Sequence, residues 1–369
     1  MHMTTEIIKI IEGGLEKNRD KVQSYASLLA EKLMNDGEKK FAERIISLLE
    51  KRKAHPIYMD EFLSKPVDQD SRLDMVDVTI NDNVTAESLI LNEMTRMKVD
   101  NYILSLKNRN KFLSHGIELP ESLLLYGPPG CGKTSIAHYI SQQTSMPLVT
   151  AKLDGIISSL LGSTAKNIRK IFEYAKERPC ILFLDEFDAI AKARNDEQEV
   201  GELKRVVNSL LQNIDDFNKN NILIAATNHE KLLDTAVWRR FANVIEISKP
   251  KENDVSRLIS LFLDTMQNDF VNDEKRLGIL SQAMIGLSPS DIKTVCYKAI
   301  KSAIIAEKEI LTYASMLFEV YSYQGLNEED IPLASFLSQY GATQQDISNL
   351  LGISIRQVRN LMKKDGDKH

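Results

Sequence analysis

The chain is 369 residues long, 43% hydrophobic and 27% charged, with a formal net charge of −5 at pH 7. That length allows two or three cores of ordinary domain size, and that apolar content excludes a disordered or fibrous protein. The acidic balance slightly repels phosphate, so any nucleic-acid contact must come from a local basic patch.

The opening run, MHMTTEIIKIIEGGLEKNRD, carries charges every few positions. No later run approaches the ~18 uninterrupted apolar residues that a membrane span requires. The expectation is a cytoplasmic protein without a targeting segment or membrane contact. Cys131, Cys180 and Cys296 lie far apart with no C-x-x-C pairing, which argues against zinc sites and a disulfide framework.

From Thr5 to Lys53 the sequence is rich in lysine and glutamate, with apolar residues at helical spacing at Val22, Leu28, Leu29 and Leu33, then Phe41, Ile45, Leu48 and Leu49. Two or three short helices are predicted, broken at Gly13-Gly14 and at Asn35-Asp36-Gly37. A connector with prolines and acids follows, and a helical N-terminal partner- or substrate-binding domain with its linker is placed at 1–72. Met94 and Met97 sit at helical spacing and read as core.

Between 73 and 249 short apolar runs alternate with amphipathic helices: LLLY, PLVTA, CILFLD, ILIAAT and VIEI. Such alternation predicts an α/β domain with a parallel sheet and helices on its faces. From 250 to 312 everything reads as helical, and GLSPSDIKTV starts one helix with Ser288 as N-cap, Pro289 at its first position and Asp291 in its first turn. The region 313–369 is a further helical extension, with two short helices around LGIS at 343–364.

LLLYGPPGCGKTSIAHYI reads as strand, glycine-rich turn and helix, and Gly127 to Thr134 satisfy G-x-x-x-x-G-K-[ST] in that context. Gly127, Pro128, Pro129, Gly130, Cys131, Gly132, Lys133, Thr134 and Ser135 thus form a phosphate cradle of backbone N–H groups and helix N-terminus. Lys133 would reach the β- and γ-phosphates of ATP, and Thr134 would give its hydroxyl to Mg²⁺. CILFLDEFD ends an apolar strand in Asp185 and Glu186. Paired carboxylates rarely end a buried strand for packing reasons, so Asp185 is read as a magnesium ligand and Glu186 as the group that polarises the attacking water. Asn228, at the end of NILIAATN, can hydrogen-bond that water or the γ-phosphate. Arg239 and Arg240, in AVWRRFANVIEI, are two adjacent cations that need an anion.

GPPGCGKT, LDEFD, ATN and the segment ending WRRF, in this order, resemble the AAA family of AAA+ ATPases, including its second region of homology, over 73–312. The resemblance implies a P-loop AAA+ nucleotide domain at 73–249, a helical lid at 250–312 and a self-assembled ring, most often a hexamer. It further implies that Arg239 and Arg240 act as arginine fingers on the nucleotide of a neighbouring subunit, so that Arg240→Ala would retain ATP binding and lose hydrolysis. GLSPSDIKTV matches the family's lid motif with Pro289 and Ser290 in place of Gly and Ala, and Gly286 is expected to approach the nucleotide. Leu160, Leu161 and Gly162 fall on the family's central pore loop, with Leu160 at the usual aromatic position, where it offers a smaller grip on a threaded polypeptide. Asp196 to Gly201 would carry the second pore loop, and Arg205 and Asn208 match a helix that touches an adjacent subunit.

TQQDISNLLGISIRQVRNLMKK resembles a bacterial helix-turn-helix, with Ile347, Leu350, Leu351, Ile353, Val358 and Leu361 as its core and Gly352 in the turn. Ser354, Arg356, Gln357, Arg359 and Asn360 would then face a DNA major groove or phosphates. From 354 to 369 five Lys or Arg stand against two Asp, on an otherwise acidic chain. The N-terminal helices are similar to those of bacterial AAA proteins encoded beside a subtilisin-like serine protease, which implies such a protease as a partner. Cys131 lies where a helix N-terminus could lower its pKa, Trp238 reads as packing, and His138 and His229 show no metal spacing. The expectation is an oligomeric ring that hydrolyses ATP with Mg²⁺ to remodel or thread a protein. The alternative is a DNA-directed ATPase acting through 343–364 in transposition, replication or defence.

Overall fold

The apolar runs of the central region become the strands of one sheet: β1 (Asp77–Thr79), β2 (Ser122–Tyr126), β3 (Leu148–Lys152), β4 (Ile181–Asp185), β5 (Ile222–Thr227) and β6 (Asn243–Glu246). Their order is β1-β3-β4-β5-β2-β6, and all neighbours are parallel except β1 against β3. Strands covered on both faces must be apolar at every position rather than at alternate ones, which is why β2, β4 and β5 read as unbroken hydrophobic runs. Leu123, Leu124 and Leu125 of β2 and Leu182, Phe183 and Leu184 of β4 are fully buried. The edge strand β1 is three residues long and partly exposed, so it carries no such run. Because β2 lies between β5 and β6 while the chain goes from β2 to β3, strand order reverses beside β2, the place where open α/β sheets bind ligands.

The computed structural model describes residues 4–15, 25–26, 28–30, 32–34, 36–53, 62, 65–68, 74–80, 89–109, 112, 120–153, 161–188, 200–218, 221–327 and 331–366. It divides into two compact units, Met1–Lys65 and Pro66–His369. Among the described residues no helix is long and apolar enough to cross a membrane.

In the first unit, helix Thr4–Leu15 includes Gly13-Gly14, where a break was predicted, and ends one residue beyond them; residues 16–24 lie outside those described. Each glycine costs such a helix only about 1 kcal/mol, which does not forbid it. The turn at Asp36-Gly37 is present, with Gly37 at φ 90°, and helix Lys39–Lys53 follows it. Leu29, Leu33 and Ala42 are buried together against Ile10 and Ile45, whereas Ile7, Ile8, Ile11 and Phe41 are exposed.

In the second unit, helix Glu93–Lys107 starts at Asn92, whose side chain accepts from Thr95 N, and buries Thr95, Val99, Tyr102, Ile103 and Leu106. That stripe leaves Met94 and Met97 on the opposite face, 62% and 52% exposed, and not in the core as predicted. The lid helices Glu252–Leu263, Glu274–Ala283 and Pro289–Ile305 do not close a core by themselves. Leu258, Met284 and Val295 share one buried cluster with Tyr313, Leu317, Phe336, Ile347 and Val358 from the helices that follow, Tyr313–Tyr323, Leu333–Gln339, Gln344–Leu351 and Ile355–Gly366. Arg276 fastens the two parts, stacking over the Tyr313 ring at 5.4 Å and lying 3.9 Å from Asp346. The predicted small core of the last two helices is present except for Leu361, which is 44% exposed. Met362, one position on, packs against the cluster instead.

Candidate nucleotide site

The loop from β2 to helix Lys133–Thr144 needs glycine for stated geometric reasons. Gly127 has φ 141°, and a Cβ there would run into the backbone carbonyl of Ile247. Gly130 has φ 73° and a Cβ there would meet Ser288 and Ser290 at the head of the lid helix. Gly132 is the left-handed N-cap of Lys133–Thr144 and supplies no side-chain cap, which leaves first-turn N–H groups for an anion. Gly127→Ala is therefore expected to cost more than ~1 kcal/mol in thermal unfolding and to abolish binding of a fluorescent ATP analogue. Unchanged binding would show that the cradle tolerates a side chain.

Lys133 is buried, and its ammonium donates to the carbonyls of Gly127 at 2.7 Å and Pro128 at 2.8 Å. An ammonium has three donors, so one is left to reach a phosphate. Burial lowers its pKa, and the nearby Asp185, Asp188 and Glu230 oppose that. Thr134 Oγ1 donates to Asp185 Oδ2 at 3.0 Å, and the other carboxylate oxygen accepts from Glu186 N at 2.9 Å. A hydroxyl and a carboxylate in contact are hard oxygen donors of the kind Mg²⁺ selects, so Thr134 and Asp185 fit the metal that the sequence implied.

Glu186 has φ 54°, a left-handed conformation that costs a non-glycine residue of order 1–3 kcal/mol. Such strain at a strand end re-aims the side chain away from the strand's alternation. Asp188, not singled out from the sequence although it stands in LDEFD, is buried and organises the end of β5. It accepts from Thr227 Oγ1 and from Asn228 N, both at 3.2 Å. Asn228 is thereby held just past the end of β5, the strand that pairs with β4.

Helix Pro289–Ile305 starts directly against the loop, with Ser290 N donating to Gly130 O at 3.1 Å. Ser288 is the N-cap of this helix as predicted, and with Asp291 it closes a full capping box. Asp291 accepts from Ser288 N at 2.8 Å, from Ser288 Oγ at 2.7 Å and from Tyr323 Oη at 2.6 Å. Burial alone would raise its pKa, but the bonds from Tyr323 and Ser288 and the charge of Lys249 outweigh it and hold the carboxyl below its ordinary 3.8. A depressed carboxyl stabilises the fold above its ordinary value and loses that contribution as pH falls through the lower folded one. Asp291→Asn is expected to be less stable at neutral pH and to lack this part of the acid sensitivity in melting curves taken across the acidic range.

Gly286 has φ 89° with no protein atom within 4 Å of where a Cβ would stand, so its backbone conformation by itself favours glycine. Its carbonyl accepts from Lys249 Nζ at 2.5 Å. A groove beside the loop is lined by Leu89, Ile90, Phe262, Pro289, Ser135 and Lys293, apolar enough to take a base. Cys131 is a buried thiol whose pKa burial pushes up, against the pull of Lys133 and Lys249, so the helix N-terminus does not activate it.

The two arginines are not equivalent. Arg240 Nη1 donates to Ala236 O at 2.6 Å and Nη2 to Asp215 Oδ2 at 3.0 Å, while Nε stands 2.9 Å from Asp215 Oδ1, off the hydrogen-bond line. Its own carbonyl accepts from Ser122 Oγ and Asn218 Nδ2. Arg239 is exposed and makes no side-chain hydrogen bond or ion pair among the described residues. Trp238 packs edge-on to Tyr126, with ring centroids 5.3 Å apart, which ties this segment to the strand that feeds the phosphate loop. No pattern in the sequence pointed to Asp215, which lies on helix Val200–Phe217 and meets Arg240 only through the fold.

Of the predicted pore residues, Leu160 lies outside the described residues, and Leu161 and Gly162 begin helix Leu161–Lys176. The predicted second pore loop likewise falls outside them up to residue 199, and Asn208 is exposed on its helix.

Residues 123–249 match the family model described as the ATPase family associated with various cellular activities (AAA). The chain is 43% identical over 203 residues to an uncharacterized AAA family ATPase, y4kL, of Sinorhizobium fredii, covering 55% of this chain and 60% of that protein. It is 35% identical to a proteasome-activating nucleotidase of Methanococcus vannielii (64% and 60% covered) and 34% to that of Saccharolobus solfataricus (65% and 62%). The chain thus spans about 60% of the length of these curated relatives. A phosphate loop closed by Lys133, a Thr134–Asp185 pair at the strand ends and these matches agree that residues 123–249 form an ATPase domain of the AAA kind.

Proposed function

We propose that this chain binds ATP with Mg²⁺ on loop 127–135 and hydrolyses it to ADP and phosphate, as one subunit of a ring that remodels or threads a protein. The observation that carries the reading is the joining of Thr134, Asp185 and Glu186 in one hydrogen-bonded set beside Lys133. Mg²⁺, when bound, neutralises developing charge on the phosphates. Lys133 and the loop N–H groups hold the β- and γ-phosphates, and Glu186 accepts the proton of the attacking water as its oxygen bonds to the γ-phosphorus and the bond from that phosphorus to the β-phosphate oxygen breaks, releasing ADP. Asn228, set by Asp188, orients that water or the γ-phosphate. Arg239 is offered to the nucleotide of a neighbouring copy, and Arg240 holds the turn that presents it.

The protein substrate is supported by the relatives named proteasome-activating nucleotidases and by the exposed Ile7, Ile8, Ile11 and Phe41, which suit the first unit to a partner. A subtilisin-like protease is one such partner, to be sought by co-purification. The test is the steady-state ATPase rate across protein concentrations that span assembly, with and without an unfolded polypeptide. A rate per subunit that climbs with concentration and rises further with polypeptide is expected. A concentration-independent rate that ignores polypeptide would overturn both the ring and the substrate class.

A further inference from the structure

We propose that the last three helices, Leu333–Gln339, Gln344–Leu351 and Ile355–Gly366, form a duplex-DNA-binding unit that presents the exposed face of Ile355–Gly366 to a major groove. Helix Gln344–Leu351 is started by a Thr343–Asp346 capping box and stopped by Gly352 at φ 65°. Ser348 Oγ donates to Ile353 O across the turn. Ser354 opens the last helix, with its N–H and hydroxyl both donating to Gln357 Oε1 at 2.8 Å and its Oγ accepting from Gln357 N. Two short helices held by so tight a turn, with Ile347 and Val358 buried between them, have the geometry of the motif that lays its second helix in the groove.

The outward side of that second helix has the chemistry of a nucleic-acid surface. Ser354, Arg356, Arg359 and Asn360 are exposed together. Gln357, predicted among the contacts, is committed to the cap instead. Arg359 Nε donates to Gln344 Oε1 at 2.8 Å, a brace from the first helix that holds the guanidinium while its terminal nitrogens stay available to base edges or phosphate. Among the described side chains of this helix only Leu361 is a large exposed apolar one, so the described face lacks the apolar centre that a protein-docking surface needs. Arg356 and Arg359 put two positive charges on this face of a chain whose total is −5, a local basic pair that the acidic average would otherwise deny to phosphate.

The test uses the full chain and a labelled duplex, read by fluorescence anisotropy at several salt concentrations, for the wild type and for Arg356→Ala/Arg359→Ala. Both side chains are exposed, so the double variant is expected to melt as the wild type does. Its affinity should fall at least tenfold at low salt, and its log–log salt slope should be shallower by up to ~2. Absence of wild-type binding at low salt would overturn the proposal, as would equal affinity in the double variant. Retention of a protein in place of duplex would overturn it too. Glu186→Gln should bind duplex as tightly as the wild type, so a failed ATPase reading and a failed DNA reading remain distinguishable.

Discussion

Arg239→Ala is expected to keep ATP affinity and to lose turnover by ~10³–10⁵-fold, whereas Arg240→Ala loses stability first. The difference follows from their surroundings. A guanidinium acts on another subunit's nucleotide only if its nitrogens are not already committed, and Arg239 is exposed while Arg240 is held by Asp215 and the Ala236 carbonyl. Removing Arg240 leaves those acceptors unmatched, at about 1–2 kcal/mol once the partly exposed pair is discounted for solvent, and loosens the turn beneath Arg239. Melting curves and ATPase rates separate the two effects. Loss of turnover in Arg240→Ala with normal melting, beside a normal Arg239→Ala, would reverse the assignment. Mixing Arg239→Ala with Glu186→Gln tests action between copies: each is inactive alone, but a ring containing both has sites with an intact Glu186 facing an intact Arg239. Recovered turnover on mixing is the expected result, and none would place the arginine's action within its own subunit.

Glu186→Gln should bind ATP with near-normal affinity and hydrolyse it ~10²–10⁴-fold more slowly. The amide cannot accept the water's proton, yet it keeps the shape of the side chain and the Glu186 N bond to Asp185. The left-handed backbone at this position is retained as well, so binding and melting controls stay close to the wild type. Asp185→Asn makes an instructive contrast, since it weakens the oxygen pair with Thr134 and should lose Mg²⁺-dependent binding along with turnover. Equal turnover in Glu186→Gln and wild type would remove Glu186 from the chemistry.

The sequence disclosed the sheet and the phosphate loop because both rest on local rules. Strands buried on two faces must be apolar throughout, and a loop that wraps phosphate must be glycine-rich, so LLLY, CILFLD and GPPGCGKT speak for themselves. The Ser288 cap was legible for the same reason. What stayed hidden depends on partners far apart in the chain. Asp188 is an ordinary acid until the fold sets it under Thr227 and Asn228, and Asp215 is an ordinary surface acid until Arg240 reaches it. Met94 and Met97 misled because spacing marks a helical stripe without saying which stripe faces inward; Thr95, Val99, Tyr102 and Ile103 took that side.

The single core shared by the lid and the helices after it has a thermodynamic corollary. Gly130 of the phosphate loop meets Ser288, Ser288 is bonded to Asp291, Asp291 to Tyr323, and Tyr323 lies on a helix whose inner face is packed into the same cluster as Val358. Free energies of binding around a closed cycle must sum to zero, so if ATP alters this tail's affinity for its ligand by some factor, that ligand alters the affinity for ATP by the same factor. A coupling of that kind would make the carboxyl-terminal helices an effector port for the phosphate loop, with the strength of each occupant's effect set by that shared factor.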